Sequence, residues 1–211
     1  MYFMIFNLIA TGFLIGLSIA APVGPIGALC IQRSLRFGFI IGLVSGLGAA
    51  TADALYGLIA ASGLAAIRDF LMSSQTVLSF LGGILLCYLG IKTYFSTIAS
   101  IGSHEENQIS TISAFFSTLF LTFTNPMTIL TFIALLSSVN FHQESSMAAF
   151  IFILGIFLGS CAWWLFVSII ASAFRTTLSV YHITLINKIS AIIITGFGVK
   201  ILFDVAKQLW V

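Results

Sequence analysis

Charged residues are scarce in this 211-residue chain: Asp, Glu, Lys and Arg together make up 7% of the sequence, and hydrophobic residues make up 60%. A soluble domain usually carries about 25% charged residues, so a water-soluble fold of this size lacks the charge to cover its surface. The net charge of +2 is too small to indicate nucleic acid, and no basic patch or stacking platform is visible. The sequence therefore predicts a chain whose main solvent is membrane lipid, with no nucleic-acid partner.

Motifs that carry enzyme chemistry are also missing. The chain contains no HExxH, Gly-x-Ser-x-Gly or Walker A pattern, and its histidines fall in predicted loops or near span ends. The three cysteines, Cys30, Cys87 and Cys161, are spaced neither as CxxC nor as a metal-binding pattern. We therefore expect a protein that is not an enzyme and holds neither a cofactor nor a resident metal. Without a nucleotide site, any pumping must draw on an ion gradient.

Long uncharged stretches define the predicted membrane spans. A helix needs about 20 apolar residues to cross the hydrocarbon core, and the gaps between charges leave room for about six such helices. The predicted spans are 3–31, 38–66, 74–97, 112–137, 147–173 and 185–207. The one polar loop of some length is 98–111, and no separate soluble domain or linker is evident. The chain 1–211 is thus predicted to form a single all-α transmembrane domain.

The few basic residues predict the orientation of the chain, because Lys and Arg collect on the cytoplasmic side of membrane proteins. If the N-terminus lies outside, more basic residues fall inside than outside. Those inside are Arg33, Arg36, Lys92, Arg175 and Lys188, and those outside are Arg68, Lys207 and, near a span end, Lys200. We therefore expect an N-out, C-out topology.

The two halves of the chain resemble each other. Residues 84–95 read ILLCYLGIKTYF and residues 192–203 read IIITGFGVKILF, which aligns Gly90 with Gly198. Glycine pairs four residues apart occur in spans 2 and 5, and the order of matches pairs span 1 with 4, 2 with 5 and 3 with 6. Because each half contains three spans, the second half must be inverted in the membrane, a recurring transporter plan. The sequence thus predicts two inverted three-helix repeats, the first ending at residue 97 and the second beginning at 112.

Proline interrupts the first span of each half. Pro22 and Pro25 lack an N–H and push the residue before them, such as Gly24, away from helical geometry. Asn125-Pro126 stands at the parallel place in span 4. Broken backbone at membrane depth is tolerated only against protein or a wet cavity, where freed carbonyls and the N-terminus of the next half-helix face a polar solute. We expect spans 1 and 4 to be broken at these prolines, with a packing kink as the alternative.

Asp53 is the one acid that the predicted spans place well inside the membrane. An ionised carboxylate there costs about 3 kcal/mol on insertion scales, so the group must be buried, paired or protonated. It is a candidate for binding an ammonium group or for carrying a coupled proton, and a static interhelical hydrogen bond is the alternative. The amide of Asn125 both donates and accepts and is expected to face Asp53 if the repeats meet at a central site. Capping the broken helix is the alternative for Asn125.

Residues 21–63, APVGPIGALCIQRSLRFGFIIGLVSGLGAATADALYGLIAASG, resemble the signature region of the lysine exporter (LysE/RhtB) family of bacterial amino-acid exporters. The matching positions are Pro22, Gly24, Pro25, Gly42, Gly46, Asp53, Gly90, Asn125 and Pro126. The similarity covers the whole chain, with one departure: Val23 separates Pro22 from Gly24, where many members have Pro-Gly-Pro directly. The resemblance implies a secondary exporter of the bacterial inner membrane, coupled to protons and built from duplicated three-helix halves.

Two transport functions remain open from the sequence. The first is export of amino acids or similar small metabolites, with a substrate and proton site formed by Asp53, Pro22, Gly24, Pro25, Asn125 and Pro126. The alternative is a divalent-cation exporter of a related inverted-repeat type, although hard cations want several oxygen ligands and span 5 offers no acid. A membrane scaffold or an intramembrane enzyme is a third class. The sequence selects no particular substrate, and it leaves a homo-oligomer open.

Overall fold

The computed structural model describes residues 2–22, 24–61, 73–95, 109–125, 128, 131–132, 146–177 and 180–209. Within these residues the chain forms helices and no strands. The seven helices are α1 (Tyr2–Ala20), α2 (Pro25–Phe37), α3 (Phe39–Ala61), α4 (Gln75–Phe95), α5 (Thr111–Phe123), α6 (Ser146–Thr177) and α7 (Val180–Leu209). The predicted all-α class is confirmed for this part of the chain, and most of the predicted loop 98–111 lies outside it.

Five of the described helices are long and apolar enough to cross a membrane. The qualifying stretches are Phe3–Ala20, Phe39–Ile59, Gln75–Phe95, Met147–Arg175 and Thr184–Gln208. The helix in the predicted fourth span, α5, is apolar but has only 13 residues, and the rest of 112–137 is described at few positions. Large apolar side chains such as Phe3, Phe150 and Ile192 are exposed on the long helices, as expected for surfaces that face lipid. The chain is a multi-pass membrane protein.

The predicted first span, 3–31, consists of two helices in the structure. The first, α1, ends at Ala20, and α2 begins at Pro25, whose ring presets the φ angle of a first helical turn. Gly24 between them has extended backbone, with φ −116° and ψ −166°. α1 therefore ends two residues before Pro22, α2 begins at Pro25, and Pro22 itself lies in neither helix.

The long helix α6 runs beside α1 in the same direction. Gly12 packs against Gly155, Leu17 packs against Gly159, and Gly38 after the end of α2 lies next to Arg175. The glycines permit this approach, because an added Cβ at Gly12 or Gly159 would overlap the facing backbone. Because Arg175 lies in the last turn of α6, α1 and α2 in succession cover the length that α6 covers alone. The junction between them thus falls at an intermediate depth of the bundle.

The helices α4 and α7 pack against each other through reciprocal contacts. A Cβ added at Gly90 would lie 2.9 Å from the backbone nitrogen of Thr195, and a Cβ added at Gly198 would lie 2.9 Å from that of Cys87. The spacing from Cys87 to Thr195 equals the spacing from Gly90 to Gly198. The carbonyl oxygens that each Cβ would approach, at 3.0 and 2.9 Å, belong to Ala191 and Gly83. The contact therefore looks the same from either helix.

The short helix α2 occupies the centre of the described bundle. Most of its side chains are buried, and it contacts α3, α5, α6 and α7. Leu29 and Cys30 pack in one cluster with Trp164 of α6 and Ile194 of α7. Because α4 touches the remaining helices little except through its partner α7, α2 is the main link between the α4–α7 pair and the rest of the bundle.

Candidate functional site

A cavity of about 490 Å³ opens between the helices, within the range of about 300–1,000 Å³ that small-molecule sites occupy. Its wall comes from the ends of α1 and α5, the beginnings of α2 and α4, the middle of α3 and α6, and the C-terminal part of α7. Five of the six predicted site residues line it: Asp53, Pro22, Gly24, Pro25 and Asn125. The sixth, Pro126, lies outside the described residues.

Asp53 lies in the middle of α3 and is only 3% exposed. Its carboxylate Oδ2 accepts a hydrogen bond of 2.7 Å from the hydroxyl of Ser160 in α6. The neighbouring Ala49, Ala50 and Ala52 are almost completely buried, and their small side chains let other helices pack closely around this part of α3. A carboxylate held this way in a membrane protein is a candidate for binding a proton or a cation. Ser160 was not predicted as a site residue, because a single serine in an apolar helix does not indicate a functional site unless its partner is known.

The beginning of α2 brings backbone N–H groups to the same cavity. No side chain caps this helix at Gly24, and its first turn closes with the hydrogen bond from Ala28 N to the Gly24 carbonyl. Pro25 has no N–H, and Ile26 and Gly27 both line the cavity. An uncapped helix N-terminus carries roughly half a positive charge and attracts carboxylates. The cavity therefore contains an acidic side chain and an electropositive helix end.

Tyr56, one turn after Asp53, fixes the end of α5 at the cavity. Its hydroxyl donates to the Phe123 carbonyl, and its ring stacks on the Phe123 ring with centroids 5.0 Å apart. Thr124 closes the helix end by bonding to Phe120. Asn125, which follows, enters the cavity wall. Tyr56 was missed from the sequence, where its three-residue spacing from Asp53 was the one available signal.

The C-terminal part of α7 adds a charged and exposed stretch to the cavity. Lys200 and Asp204 form an ion pair of 3.1 Å within this helix, and Gln75 and Gln208 line the cavity beside them. A second acid, Asp204, lies four residues before the end of the membrane-length stretch of α7, whereas Asp53 lies in the middle of α3. The two acids differ in environment: Asp53 is buried, and Asp204 is more than half exposed.

Arg33 in α2 is deeply buried, at 2% exposure, although the sequence suggested only a role in topology. One guanidinium nitrogen donates to Ser45 Oγ at 3.0 Å, to Thr118 Oγ1 at 2.8 Å and to the Ala114 carbonyl at 3.0 Å. The other donates to Ser117 Oγ at 2.8 Å. These partners lie on α3 and α5 and are all neutral. Arg33 therefore fastens α2 to two neighbouring helices through hydrogen bonds and not through an ion pair with any of them.

Trp164 lies in the cavity wall and is also part of the core. Its indole belongs to the buried cluster that includes Leu29, and it also borders the cavity. An added Cβ at Gly46 would overlap the Trp164 side chain, so the glycine of α3 makes the space that the indole occupies. The glycine spacing in span 2 thus shapes the cavity wall indirectly.

These helices and this cavity define a multi-pass membrane protein with a solute-sized site between its helices, in which a few polar groups stand in a mainly apolar wall. The chain matches the LysE type translocator family over residues 17–205, and it belongs to that family. The resemblance to the lysine exporter family is thereby confirmed, and the chain is a transmembrane transporter.

Two Bacillus subtilis (strain 168) proteins are similar to the chain. It is 29% identical over 209 residues to "Putative amino acid efflux protein YcgF", covering 96% of this chain and 99% of that protein. It is 27% identical over 183 residues to "Uncharacterized membrane protein YrhP", covering 82% and 87% respectively. No solved structure matches the chain.

Proposed function

We propose that this chain exports amino acids or similar small metabolites across the bacterial inner membrane as a proton-coupled secondary transporter. The observation that carries the proposal is one cavity lined by the buried carboxylate of Asp53 and by the uncapped N-terminus of α2. An amino acid has an ammonium group for the first and a carboxylate for the second. Membership of a translocator family and a relative named for amino acid efflux support the same assignment.

Asp53 is the coupling residue in this mechanism. A proton and a solute ammonium group compete for the same carboxylate, because a protonated acid no longer attracts a cation. Exchange of one for the other on opposite sides of the membrane links the two flows. Ser160 holds the carboxylate in place through its 2.7 Å hydrogen bond. Pro22, Gly24 and Pro25 expose the helix end that takes the solute carboxylate, and Asn125 supplies wall from the second half. Pro126, which follows Asn125 in the sequence, completes the proposed set of site residues.

The proposed architecture is a single transmembrane domain of two inverted three-helix repeats, oriented N-out and C-out. The reciprocal contact of α4 with α7 supports the repeat, because it has the register that aligns Gly90 with Gly198. The packing of the other helices agrees. In the proposed repeat, α1 corresponds to α5 and α6 corresponds to α3. The packing of α1 on α6 thus has its counterpart in the packing of α5 on α3. Placing the cavity between two such halves follows the plan of many secondary transporters.

The alternative of a divalent-cation exporter receives less support from the described residues. They contain no group of three His, Cys, Asp or Glu side chains arranged to hold a metal. The hydrogen-bond partner of Asp53 is a hydroxyl group, whereas hard cations need several oxygen ligands at once. We therefore favour a zwitterionic organic solute.

The test is counterflow in proteoliposomes with a panel of labelled amino acids and a pH probe in the lumen. We expect exchange of one amino acid or a few, and, when the same solute is placed on one side only, net solute movement with protons moving the opposite way. An inserted, folded protein that exchanges no member of the panel would overturn the amino-acid assignment. Net movement of the solute down its gradient without any lumenal pH change would overturn the proton coupling alone. Labelled Mn²⁺ in the same liposomes tests the cation alternative.

A further inference from the structure

Asn187 in α7 is a buried polar group that the open cavity leaves unexplained. It is 4% exposed, and neither Oδ1 nor Nδ2 has a hydrogen-bond partner in the part of the chain that the structure describes. Buried amides in native proteins almost always have partners, so an exception requires a reason. Asn187 does not line the cavity that contains Asp53.

The reciprocal contact between α4 and α7 relates Asn187 to a residue of the open cavity. The spacing that pairs Gly90 with Gly198 also pairs Ser79 with Asn187. Ser79 is a polar residue near the beginning of α4 and lines the cavity. Asn187 holds the same place near the beginning of α7. Ser79 and Asn187 are about equally buried, at 5% and 4% exposure, but Ser79 borders the cavity and Asn187 does not.

The two positions lie at opposite ends of the α4–α7 pair, because these helices are antiparallel. Two basic residues are related in the same way: Lys200 lines the open cavity, and its counterpart is Lys92 in the last turn of α4. One end of the pair is thus open and polar. The other end carries the equivalent polar residues, of which Lys92 is exposed and Asn187 is buried.

The helix placed to close the second end is α2. It packs on α7, where Cys30 shares a cluster with Ile194, seven residues after Asn187, and Arg33 fastens α2 to α3 and α5. Because all four acceptors of Arg33 are neutral, α2 can leave them without separating an ion pair. The closure is therefore held by contacts that can form and break repeatedly.

We propose that the end of the bundle around Asn187 is a second vestibule for the transported solute, closed here by α2 and opening to the opposite face of the membrane. The inference rests on the proposed transport function and deepens it. In the second state the amide of Asn187 meets the same small polar solute that passes Ser79 in the first. Its missing partners are then supplied by solute or water.

Cysteine accessibility in oriented membrane vesicles tests the second vestibule. Asn187→Cys and Ser79→Cys are made singly, with Gln75→Cys as a further reporter of the open cavity, and are treated with a membrane-impermeant maleimide. Right-side-out and inverted vesicles present the two faces of the membrane. The background carries alanine at the native cysteines, Cys30, Cys87 and Cys161.

We expect Ser79→Cys and Gln75→Cys to react from one face and Asn187→Cys from the other. Adding Arg33→Ala should raise the reaction rate at Asn187→Cys about tenfold and lower it at Ser79→Cys, as expected when a hydrogen bond to a charged group is lost from the closed end. Arg36→Ala on the same helix is the matched control and should change neither rate. A single symmetric peak in size-exclusion chromatography of each detergent-solubilised variant shows that it is folded.

Labelling of Asn187→Cys from the same face as Ser79→Cys would overturn the second vestibule, as would the absence of any labelling with Arg33→Ala present. A rise with Arg36→Ala equal to that with Arg33→Ala would remove Arg33 from the closure. The readout requires no known solute. Failure of the amino-acid panel therefore leaves the vestibule intact, and failure of labelling leaves the transport result intact.

Discussion

Replacing Gly198 with alanine tests the register of the α4–α7 contact, on which the repeat depends. The added Cβ would lie 2.9 Å from both the Cys87 nitrogen and the Gly83 carbonyl, about 0.5 Å inside ordinary contact. Overpacking of this kind costs about 1–3 kcal/mol, whereas alanine in a helix gains about 1 kcal/mol over glycine. Gly196, on the same helix with no atom within 4 Å of its Cβ position, receives only the gain.

The difference between Gly198→Ala and Gly196→Ala therefore isolates the packing cost, and we expect it to be about 1–3 kcal/mol. Gly90→Ala meets equivalent backbone atoms at 2.9 and 3.0 Å, and its Cβ would also overlap Thr195 Oγ1, whereas the Cβ of Gly198→Ala would lie 2.7 Å from Cys87 Sγ. Gly90→Ala should therefore cost at least as much as Gly198→Ala. The measurement is unfolding by sodium dodecyl sulfate in mixed micelles, followed by circular dichroism. Equal stability of Gly196→Ala and Gly198→Ala would refute the close contact. A markedly smaller cost for Gly90→Ala than for Gly198→Ala would refute its twofold character.

Three further substitutions test the polar contacts. Arg33→Lys keeps the charge but not the geometry that serves four acceptors, so the same unfolding assay should show a loss of about 2–3 kcal/mol; no loss would mean that the guanidinium bonds contribute little. Tyr56→Phe keeps the stacked ring and removes the bond to α5, and should cost about 1 kcal/mol. Ser160→Ala removes the hydroxyl that holds Asp53 and should weaken solute affinity about tenfold in counterflow. Ser172→Ala on the same helix, whose hydroxyl bonds only its own backbone among the described residues, should leave affinity unchanged, and equal effects would contradict the role of Ser160.

Much of the fold follows from where charge is absent, because a membrane span needs only length and apolarity to be recognised. The proline pair at Pro22 and Pro25 predicts a helix boundary because the missing N–H and the restricted backbone of proline act locally. Asp53 was identifiable because a single acid in a long apolar stretch requires an explanation. These features depend on residues close together in sequence.

The contacts that the sequence did not reveal depend on which faces of the helices meet. Arg33 sits near a predicted span end, where arginine usually marks topology, and its burial becomes visible only when α5 packs beside α2. Ser160 and Tyr56 are polar groups whose partners lie on other helices. Asp204 was missed because its pairing with Lys200 at a span end looks like an ordinary surface contact.

The central claim is that the Asp53 carboxylate couples proton movement to solute movement, and proton-driven transport by Asp53→Asn in proteoliposomes tests this claim. Asparagine has nearly the shape of aspartate but cannot carry the charge, so we predict a folded, inserted protein that no longer accumulates solute against its gradient. Thr51→Val, two residues away with a hydroxyl that bonds the Leu47 carbonyl of its own helix, should transport normally. Accumulation by Asp53→Asn at the level of the unmodified protein, with its proton movement intact, would contradict the account.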